Sequence, residues 1–397
     1  MKPTLTIKSF LAGLFLLGIF SSGCQKTDLT DPNGGAKPAA ATQTAAVKTN
    51  KWIINTIAGS DIRGYLGDGG PAITALLNSP QNVYVDKAGN VYISDLGNNV
   101  FRKVDGKTGI MTTVAGNGIN GFSGDGGPAT QASFSNAFHT AVDALGNLYI
   151  SDLSNSRIRM VAKNTGIVTT IAGTGSTDFN GDGLPALQTN LFIPFGIAFD
   201  KDGNLLFSDQ AGIRLRKLNM QTKIITTVAG NGNRGFGGDG GPAVNAMFDF
   251  IWNVAVDNNS GEIYVSDQSN HRIRKIDPAT GIITTAAGNG NFGNSGMGGQ
   301  AVNASFNYPE GIAVGKTGDL FISDQALSQV YVVHKNTGII NLVAGNGTNG
   351  YFGDGDPSIV ALLSWPNSLS VDQAGNLYIN DANNNRVRKI NGIAQGN

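Results

Sequence analysis

The chain has 397 residues, a formal net charge of zero at neutral pH and one cysteine. It lacks the basic block that marks a nucleic-acid-binding surface, and one cysteine excludes an internal disulfide. Glycine accounts for 56 residues, and glutamate occurs only at Glu262 and Glu310. Short apolar runs rich in valine, isoleucine and threonine, with few strong helix formers, predict an all-β chain. The missing basic block predicts that the protein has no nucleic-acid partner.

The first 23 residues have the pattern of a bacterial export signal. Lys2 and Lys8 precede an apolar run, residues 10–20, that is too short to span a bilayer. The following Ser21-Ser22-Gly23-Cys24 resembles the lipobox of bacterial lipoproteins, in which the cysteine is lipidated and becomes the mature N-terminus. The resemblance implies lipidation at Cys24 and an anchor in the outer membrane, facing the periplasm or the cell surface. The alternative is a soluble protein with a cleaved signal.

Residues 24–50 are rich in threonine, alanine, lysine and aspartate and show no apolar periodicity. Such a composition cannot bury a core, so this segment is predicted to be a flexible tether. The folded domain is predicted to cover residues 51–397.

The predicted domain repeats itself along its whole length. One copy contains the strand-like runs 140–143, 147–152, 157–161 and 167–172, separated by turn residues. Self-similarity at a fixed period indicates a repeat architecture. Four antiparallel strands per copy, arranged radially, describe a blade of a β-propeller. The aspartate that ends the second strand recurs at intervals of 57 or 58 residues, at Asp95, Asp152, Asp209, Asp267, Asp324 and Asp381.

Six copies predict six blades, but the first and last copies are incomplete. Residues 52–58 resemble a fourth strand with no strands before it, and the last copy ends after its third strand at residues 386–390. The unmatched fourth strand at the N-terminus corresponds to the fourth strand that the last copy lacks. We therefore expect the N-terminal strand to complete the last blade, which closes the ring and removes the edges that an open sheet exposes.

The motif Asn-Leu-Tyr-Ile-Ser-Asp, followed by Asn-x-Arg-Ile-Arg-Lys and preceded by Val-Asp-x-x-Gly-Asn, resembles the NHL repeat. The copy from Ser266 to Lys275 shows it best, and the resemblance covers residues 51–397. It departs from the pattern at Val100, where the first arginine is missing, and at Gln329 and Tyr331, where both are missing. Propellers of this family bind proteins, RNA or glycans, and a few relatives are lyases or hydrolases, so the resemblance leaves the function open.

Roughly twenty residues separate each fourth strand from the next first strand. Their pattern is Gly-Phe-x-Gly-Asp-Gly-Gly-Pro-Ala, with variants at residues 181–186 and 353–358 and with no acid at residues 296–301. No Gly-Lys-Ser/Thr follows, which argues against a phosphate-binding loop. Asp178, Asn180 and Asp182 imitate the start of a calcium-binding loop, but its twelfth position is Thr189. The alternative is a turn motif in which aspartate caps loop amides and glycine supplies positive φ. We expect the turn motif, with no metal and no cofactor.

The copies differ most near the start of the first strand. Blades 2 to 4 carry successive aromatic residues there, whereas blades 5, 6 and 1 carry polar ones. If these positions line the axial mouth, they would grip a small ligand, a sugar ring or a peptide end. The alternative is that the aromatic rings fill space between blades. The candidate ligand-binding residues, named here the mouth set, are Gln81, Asn82, Phe138, His139, Phe195, Trp252, Asn253, Glu310 and Asn367.

Catalysis is the less favoured reading. Of the three histidines, only His139 belongs to the mouth set, whereas His271 and His334 lie elsewhere in their blades, so a histidine-rich zinc site is not expected. His139 and Glu310 fall in opposite blades and would need a substrate between them to act as an acid–base pair. We expect a non-enzymatic binding module at the bacterial envelope, with an envelope protein, an extracellular protein or a glycan docking on the long-loop face. The alternative is an envelope lyase or lactonase at the channel mouth.

Overall fold

The computed structural model describes residues 52–393, and the predicted signal peptide, Cys24 and the whole predicted tether lie outside them. The described chain forms six sheets, and each is a blade of antiparallel strands. The prediction of an all-β, six-bladed propeller is confirmed. Helical structure in this range consists of three-residue 3₁₀ turns, and no described helix is long and apolar enough to cross a membrane.

The strands follow the predicted order of four per blade. An additional short strand, β10, extends the sheet of blade 3 at its outer edge. In chain order the strands are β1 Ile54–Gly59; in blade 1, β2 Pro80–Val85, β3 Val91–Asp95, β4 Val100–Val104 and β5 Met111–Ala115; in blade 2, β6 Ala137–Val142, β7 Leu148–Asp152, β8 Arg157–Val161 and β9 Val168–Ala172; then β10 Leu184–Pro185; in blade 3, β11 Pro194–Phe199, β12 Leu205–Asp209, β13 Arg214–Leu218 and β14 Ile224–Ala229; in blade 4, β15 Ile251–Val256, β16 Ile263–Asp267, β17 Arg272–Ile276 and β18 Ile283–Ala287; in blade 5, β19 Pro309–Val314, β20 Leu320–Asp324, β21 Gln329–Val333 and β22 Ile340–Ala344; and in blade 6, β23 Pro366–Val371, β24 Leu377–Asp381 and β25 Arg386–Ile390.

The 3₁₀ turns occur at two places in the repeat. One kind lies in the long loop before a first strand, and the other follows a second strand. The long-loop turns are Ala72–Thr74, Ala129–Gln131, Ala186–Gln188, Ala243–Asn245, Ala301–Asn303 and Ser358–Val360, and the others are Leu96–Asn98, Leu153–Asn155, Gln268–Asn270 and Ala382–Asn384.

Strand β1 closes the ring. It pairs antiparallel with β25, which gives blade 6 the order β1-β25-β24-β23. Ile54 lies opposite Ile390, and both side chains are buried in one apolar cluster with Leu377 and Ile379. The N-terminal strand therefore serves as the fourth strand of blade 6, as the sequence predicts.

The apolar core is divided among the six seams between neighbouring blades. The seam between blades 6 and 1, for example, contains Val387 from blade 6 and Val83 and Ile93 from blade 1. Ala75 and Leu77 of the long loop belong to the same cluster. Each long loop thus helps to join two blades, in addition to connecting them along the chain.

The long loop also covers the outer edge of its blade. In blade 2, Asp125 Oδ1 accepts hydrogen bonds from Arg159 Nε at 3.0 Å and Nη2 at 2.7 Å. Asp125 Oδ2 accepts one from Thr170 Oγ1 at 2.6 Å, and the Gly126 N–H donates to the Val168 carbonyl at 2.8 Å. The loop therefore binds both the third and the fourth strand and shields the edge that would otherwise be open.

The repeated aspartate fixes the start of each first strand. Asp152 Oδ1 accepts hydrogen bonds from the Ser135 N–H at 2.9 Å and from Asn155 Nδ2 at 2.8 Å, and Asp152 Oδ2 lies 3.6 Å from Arg159 Nη1. Arg157 donates instead to backbone carbonyls. The aspartate–arginine pairing in the repeat thus uses the second arginine.

The first strands begin earlier than the sequence indicates. In blade 2 the strand begins at Ala137 rather than at Thr140, and the register shifts between these two residues. The reason is a β-bulge that contains Phe138 and His139, because a bulge breaks the alternation that marks a strand in a sequence. A corresponding register shift occurs in the other five blades.

Antiparallel alternation places the two kinds of connection on opposite faces. First strands begin on the face where the long loops arrive, the long-loop face, and end at the tight hairpins of the other, the hairpin face. Trp52 precedes β1 and Asn391 follows β25, so both ends of the described chain lie on the hairpin face, where the missing hairpin of blade 6 would be.

Candidate functional site

The aromatic members of the mouth set contact one another in sequence. The ring centroids of Phe138 and Phe195 are 4.7 Å apart, and those of Phe195 and Trp252 are 4.5 Å apart. Phe250 adds a ring at 6.2 Å from Trp252, with an interplanar angle of 23°. Phe195 is buried, whereas the other three are half-buried. The cluster therefore both packs the long-loop end of the axis and presents ring surface to solvent.

The polar members from blades 6 and 1 form a hydrogen-bonded chain. Asn380 Nδ2 donates to Asn367 Oδ1 at 2.7 Å and to the Pro80 carbonyl at 2.7 Å. Asn367 Nδ2 donates to Gln81 Oε1 at 2.6 Å. This chain crosses the last seam of the ring, so it ties the mouth together where β1 closes the propeller.

Glu310 is a buried carboxyl that forms no salt bridge with any described residue. Its Oε1 accepts a hydrogen bond from Gln268 Nε2 at 2.5 Å, and its Oε2 has no partner. Burial raises the pKa of Glu310 well above the usual value, and the charge of Asp324 adds to the shift. The protonated form is therefore favoured, which leaves an acid O–H at the mouth.

His139 is held in one neutral tautomer by Asn82. Thr140 donates to Asn82 Oδ1 from its N–H at 3.1 Å and its hydroxyl at 3.0 Å, which turns Asn82 Nδ2 towards His139 Nδ1 at 3.2 Å and Ser368 Oγ at 2.9 Å. Because Nδ2 is a donor, Nδ1 must accept, and the ring proton lies on Nε2. Burial lowers the pKa of His139 to about 3, so this Nε2–H is a neutral donor, and it has no partner.

Asn253 occupies in blade 4 the position that Asn82 occupies in blade 1, but its amide is less engaged. Its Oδ1 accepts a hydrogen bond from the N–H of the next residue, Val254, at 2.8 Å. Its Nδ2 makes no hydrogen bond to any residue in the range 52–393. The side chain is 5% exposed, so Asn253 offers an amide donor from a buried position.

Buried polar atoms without partners concentrate around the mouth. Outside the aspartate–arginine pairs, the described residues that carry them are His139, Gln210, Asn307, Glu310 and Asn380. Each belongs to a first strand, to the residues just before one, or to the end of a second strand. An unpaired buried polar atom costs about 1–3 kcal/mol, so this concentration indicates a place where water or a ligand supplies the missing bonds.

The residue just before each bulged strand also belongs to the mouth, and the sequence reasoning missed it. Ile193, Phe250 and Trp365 have φ of 64°, 66° and 57°. Bulky residues rarely adopt this left-handed conformation, and such strain is typical of functional sites. Tyr308 holds the corresponding place in blade 5. The signal in the sequence is a bulky residue directly before Pro194, Ile251, Pro309 and Pro366.

Two of the calcium-like residues are engaged by other parts of the protein, Asp182 by strands of blade 3 and Asn180 by its own loop. Asp182 Oδ1 accepts hydrogen bonds from Arg216 Nη2 at 3.1 Å and Thr227 Oγ1 at 3.0 Å. Asn180 Oδ1 accepts one from the Asn190 N–H at 2.9 Å. No group of three or more histidine, cysteine, aspartate or glutamate side chains in the described range is arranged to hold a metal ion.

The axis contains a cavity that the sequence did not predict. It has a volume of about 590 Å³ and is lined by hairpin residues such as Lys87 and Leu145, so it opens on the hairpin face. Its inner end is formed by Asn82, His139 and Asn253. Glu310 does not line it, so this cavity does not place Glu310 opposite His139.

The comparisons agree with the repeat and the fold. The family model described as "NHL repeat" matches residues 248–276, in blade 4. NHL repeat-containing protein 2 from Bos taurus is 26% identical over 294 residues, which cover 67% of this chain and 40% of that protein. The chain therefore spans less than half the length of this relative.

Two solved structures share the fold. A Bacteroides thetaiotaomicron protein of unknown function has a TM-score of 0.65 at 20% identity, covering 86% of this chain and 76% of that one. An auxiliary nutrient binding protein from the same species has a TM-score of 0.62 at 17% identity, with the same coverage of 86% and 76%. Together, these findings show a six-bladed β-propeller that carries an NHL repeat at residues 248–276 and is similar to NHL repeat-containing proteins.

Proposed function

We propose that this protein is a non-enzymatic binding module that holds a glycan at the mouth on its long-loop face. The observation that carries the proposal is that half-buried rings, Trp252 and Phe250, and unpaired buried polar atoms of Gln210 and Glu310 all belong to the long-loop ends of their blades. Aromatic rings cover the apolar face of a sugar, and amide and acid groups pair with its hydroxyls. One mouth supplies both kinds of contact.

Only part of the exposed apolar surface supports docking on the same face. Large exposed apolar side chains often mark interaction surfaces when they cluster. The long loops also run along the outer edges of the blades, and their 3₁₀ turns reach the hairpin face, where the Ala129 and Ala186 N–H groups donate to the Gly166 and Lys223 carbonyls. The exposed apolar side chains of these turns, such as Leu187, therefore lie away from the long-loop face, whereas those that precede the turns, such as Phe122 and Phe236, remain candidates for docking.

The proposed setting is the bacterial envelope, with Cys24 lipidated and the propeller held at the outer membrane. Both ends of the described chain, at Trp52 and Ile393, lie on the hairpin face, so neither obstructs the long-loop face. A propeller of similar fold is described as an auxiliary nutrient binding protein, which is compatible with capture of a sugar outside the cell.

The geometry does not favour the lyase or lactonase alternative. His139 lines the axial cavity and Glu310 does not. Burial lowers the pKa of His139 to about 3, so His139 is a weak base near neutral pH.

The test is a binding screen of the purified protein against envelope glycans and secreted proteins, with Trp252→Ala as the variant. We expect a glycan to bind and Trp252→Ala to weaken binding at least about tenfold, because stacking surface at a site centre carries much of the affinity. Leu187→Ala is the control, since Leu187 is an exposed long-loop residue outside the mouth. Unchanged glycan binding by Trp252→Ala would overturn the site, and capture of a secreted protein in place of a glycan would overturn the ligand class.

A further inference from the structure

We propose that the axial cavity is a second binding site, open on the hairpin face, for a neutral and mainly apolar small molecule that carries a hydrogen-bond-accepting oxygen at one end. The inner end of the cavity would receive that oxygen, through the side chains of Asn253 and His139. This site is separate from the glycan site at the mouth and does not depend on it.

One level of the cavity wall is apolar on all six sides. The last residue of every first strand lines the cavity there, and each of these residues is hydrophobic. Polar residues such as Thr140 and Ser370 line other parts of the wall, so the apolar body of a ligand would lie against this ring. The six residues are Val85, Val142, Phe199, Val256, Val314 and Val371.

The inner end supplies hydrogen-bond donors that the protein leaves unused. Asn82 is saturated, because its amide binds Thr140, His139 and Ser368. Asn253, by contrast, binds only the Val254 N–H through its oxygen, and its nitrogen stays available. His139 Nε2 is likewise without a partner.

The charge at the inner end decides the class of ligand. Among the residues that line the cavity, the lysines Lys87, Lys163 and Lys201 belong to the hairpins at the entrance, and no cation stands at the inner end. An anionic head group taken there would lose its hydration without gaining a counter-charge, which is costly. A ketone, amide or lactone oxygen accepts the same hydrogen bonds without that cost.

The entrance also carries an apolar side chain. Leu145, in the hairpin of blade 2, lines the cavity and is 77% exposed, whereas most other exposed apolar side chains of the described chain lie in long loops. The volume of about 590 Å³ falls within the range of small-molecule sites. A ligand in the cavity would cover Leu145 and remove it from water.

The first experiment uses a fluorescent probe of the proposed class, 6-propionyl-2-(dimethylamino)naphthalene, which has a neutral aromatic body and one ketone oxygen. We expect saturable binding with a blue shift of its emission. Leu145→Ser removes part of the apolar contact at an exposed position, so the fold is kept, and we expect about threefold to tenfold weaker binding. Leu187→Ser is the matched control, because Leu187 is 60% exposed on a long loop, and it should bind the probe like the wild type.

The second experiment separates the cavity from other apolar surface. Val314→Phe adds volume at a half-buried wall position, and we expect at least about tenfold weaker binding. Asn253→Leu removes the amide donor, and we expect about fivefold to tenfold weaker binding, provided that its melting temperature stays close to that of the wild type. The anionic probe 8-anilinonaphthalene-1-sulfonate should bind more weakly than the ketone. Equal binding by wild type, Leu145→Ser and Val314→Phe, a loss with Leu187→Ser as large as with Leu145→Ser, or tighter binding of the anionic probe would overturn the proposal.

Discussion

Arg159 in the third strand of blade 2 lies 2.7 Å from Asp125 in the preceding long loop, and the arginine side chain is fully buried while the aspartate is 35% exposed. The recurring aspartate of the long loop therefore has a structural role, because its carboxylate oxygens accept hydrogen bonds from the blade. The same arrangement joins Arg102 to Asp68, Arg216 to Asp182, Arg274 to Asp239 and Arg388 to Asp354.

We expect Asp125→Ala to destabilise the propeller. The substitution leaves the Arg159 guanidinium buried with Asp152 as its remaining acidic partner, at 3.6 Å, and it frees the loop from Thr170. A loss of about 1–3 kcal/mol in the free energy of unfolding follows from removing charge-assisted hydrogen bonds at a half-exposed position. Chemical denaturation measures it. Asp202→Ala, at an exposed hairpin position, is the control and should change stability by less than about 0.5 kcal/mol.

Glu310 gives a prediction for the pH dependence of stability. Its pKa is raised in the folded state by burial and by Asp324, so the folded protein holds this proton more tightly than the unfolded chain does. The stabilising contribution is complete below the unfolded pKa and is lost as the pH rises towards the folded pKa. Glu310→Gln keeps the shape but does not titrate. We expect the variant to gain stability relative to the wild type as the pH is raised above about 5, by up to about 1.4 kcal/mol per pH unit within that window.

The chain's other glutamate provides the control. Burial alone would raise the pKa of Glu262, but hydrogen bonds from Lys275, Ser260 and Lys335 hold it below the usual value. Glu262 therefore stays charged over the same pH range. The stability difference between Glu262→Gln and the wild type should not change between pH 5 and 9. A pH-independent difference for Glu310→Gln as well would contradict a buried, protonated Glu310.

Closure by β1 can be tested at two adjacent isoleucines. Ile54 is fully buried in the seam of blade 6, whereas Ile53 is 38% exposed. We expect Ile54→Ala to lower the free energy of unfolding by about 2–5 kcal/mol, because it leaves a cavity between packed strands. Ile53→Ala should cost distinctly less. Equal losses in thermal melting, or no loss at Ile54, would mean that β1 does not stabilise the ring.

The repeat made the fold predictable from the sequence. The spacing of Asp95, Asp152 and their counterparts fixed the number of blades, and the unmatched strand at residues 52–58 fixed the way the ring closes. Each of these signals recurs, so an error in one copy is corrected by the others. The same redundancy does not help with the start of the first strand, because every copy has a bulge there and the alternation fails in all of them.

The site was less predictable, for a physical reason. The sequence singled out Phe138, Trp252 and their counterparts because these positions vary while the rest repeats. It did not indicate which polar atoms would remain unpaired, since pairing depends on neighbouring blades: Gln268 of blade 4 binds Glu310, whereas the side chain of Gln210 has no partner. Nor did it indicate the axial cavity, because the apolar residues that line it, mostly valines, occupy the ends of strands whose apolar pattern is that of any core strand.

Blade 5 departs from the other blades at several positions together. Tyr331 replaces the buried arginine, and Met297 replaces the loop aspartate. Tyr331 is buried in an apolar cluster against which Met297 packs, and its hydroxyl donates to Gln329 Oε1 at 2.7 Å. The ion pair of the other blades is thus replaced as a unit by an apolar contact, in the way that a buried pair can be exchanged for well-packed hydrophobic residues.

We expect the two positions to be energetically coupled. Tyr331→Arg alone places a guanidinium in a seam whose loop offers no carboxylate, and it should cost about 2–4 kcal/mol in the free energy of unfolding. Met297→Asp alone changes a half-buried side chain and should cost less. The double variant rebuilds the pair that Asp125 and Arg159 form in blade 2, so it should be more stable than the sum of the single losses by at least about 1 kcal/mol. A double-mutant cycle by urea denaturation measures this coupling. Additive losses would show that the loop aspartate does not reach its arginine in this blade.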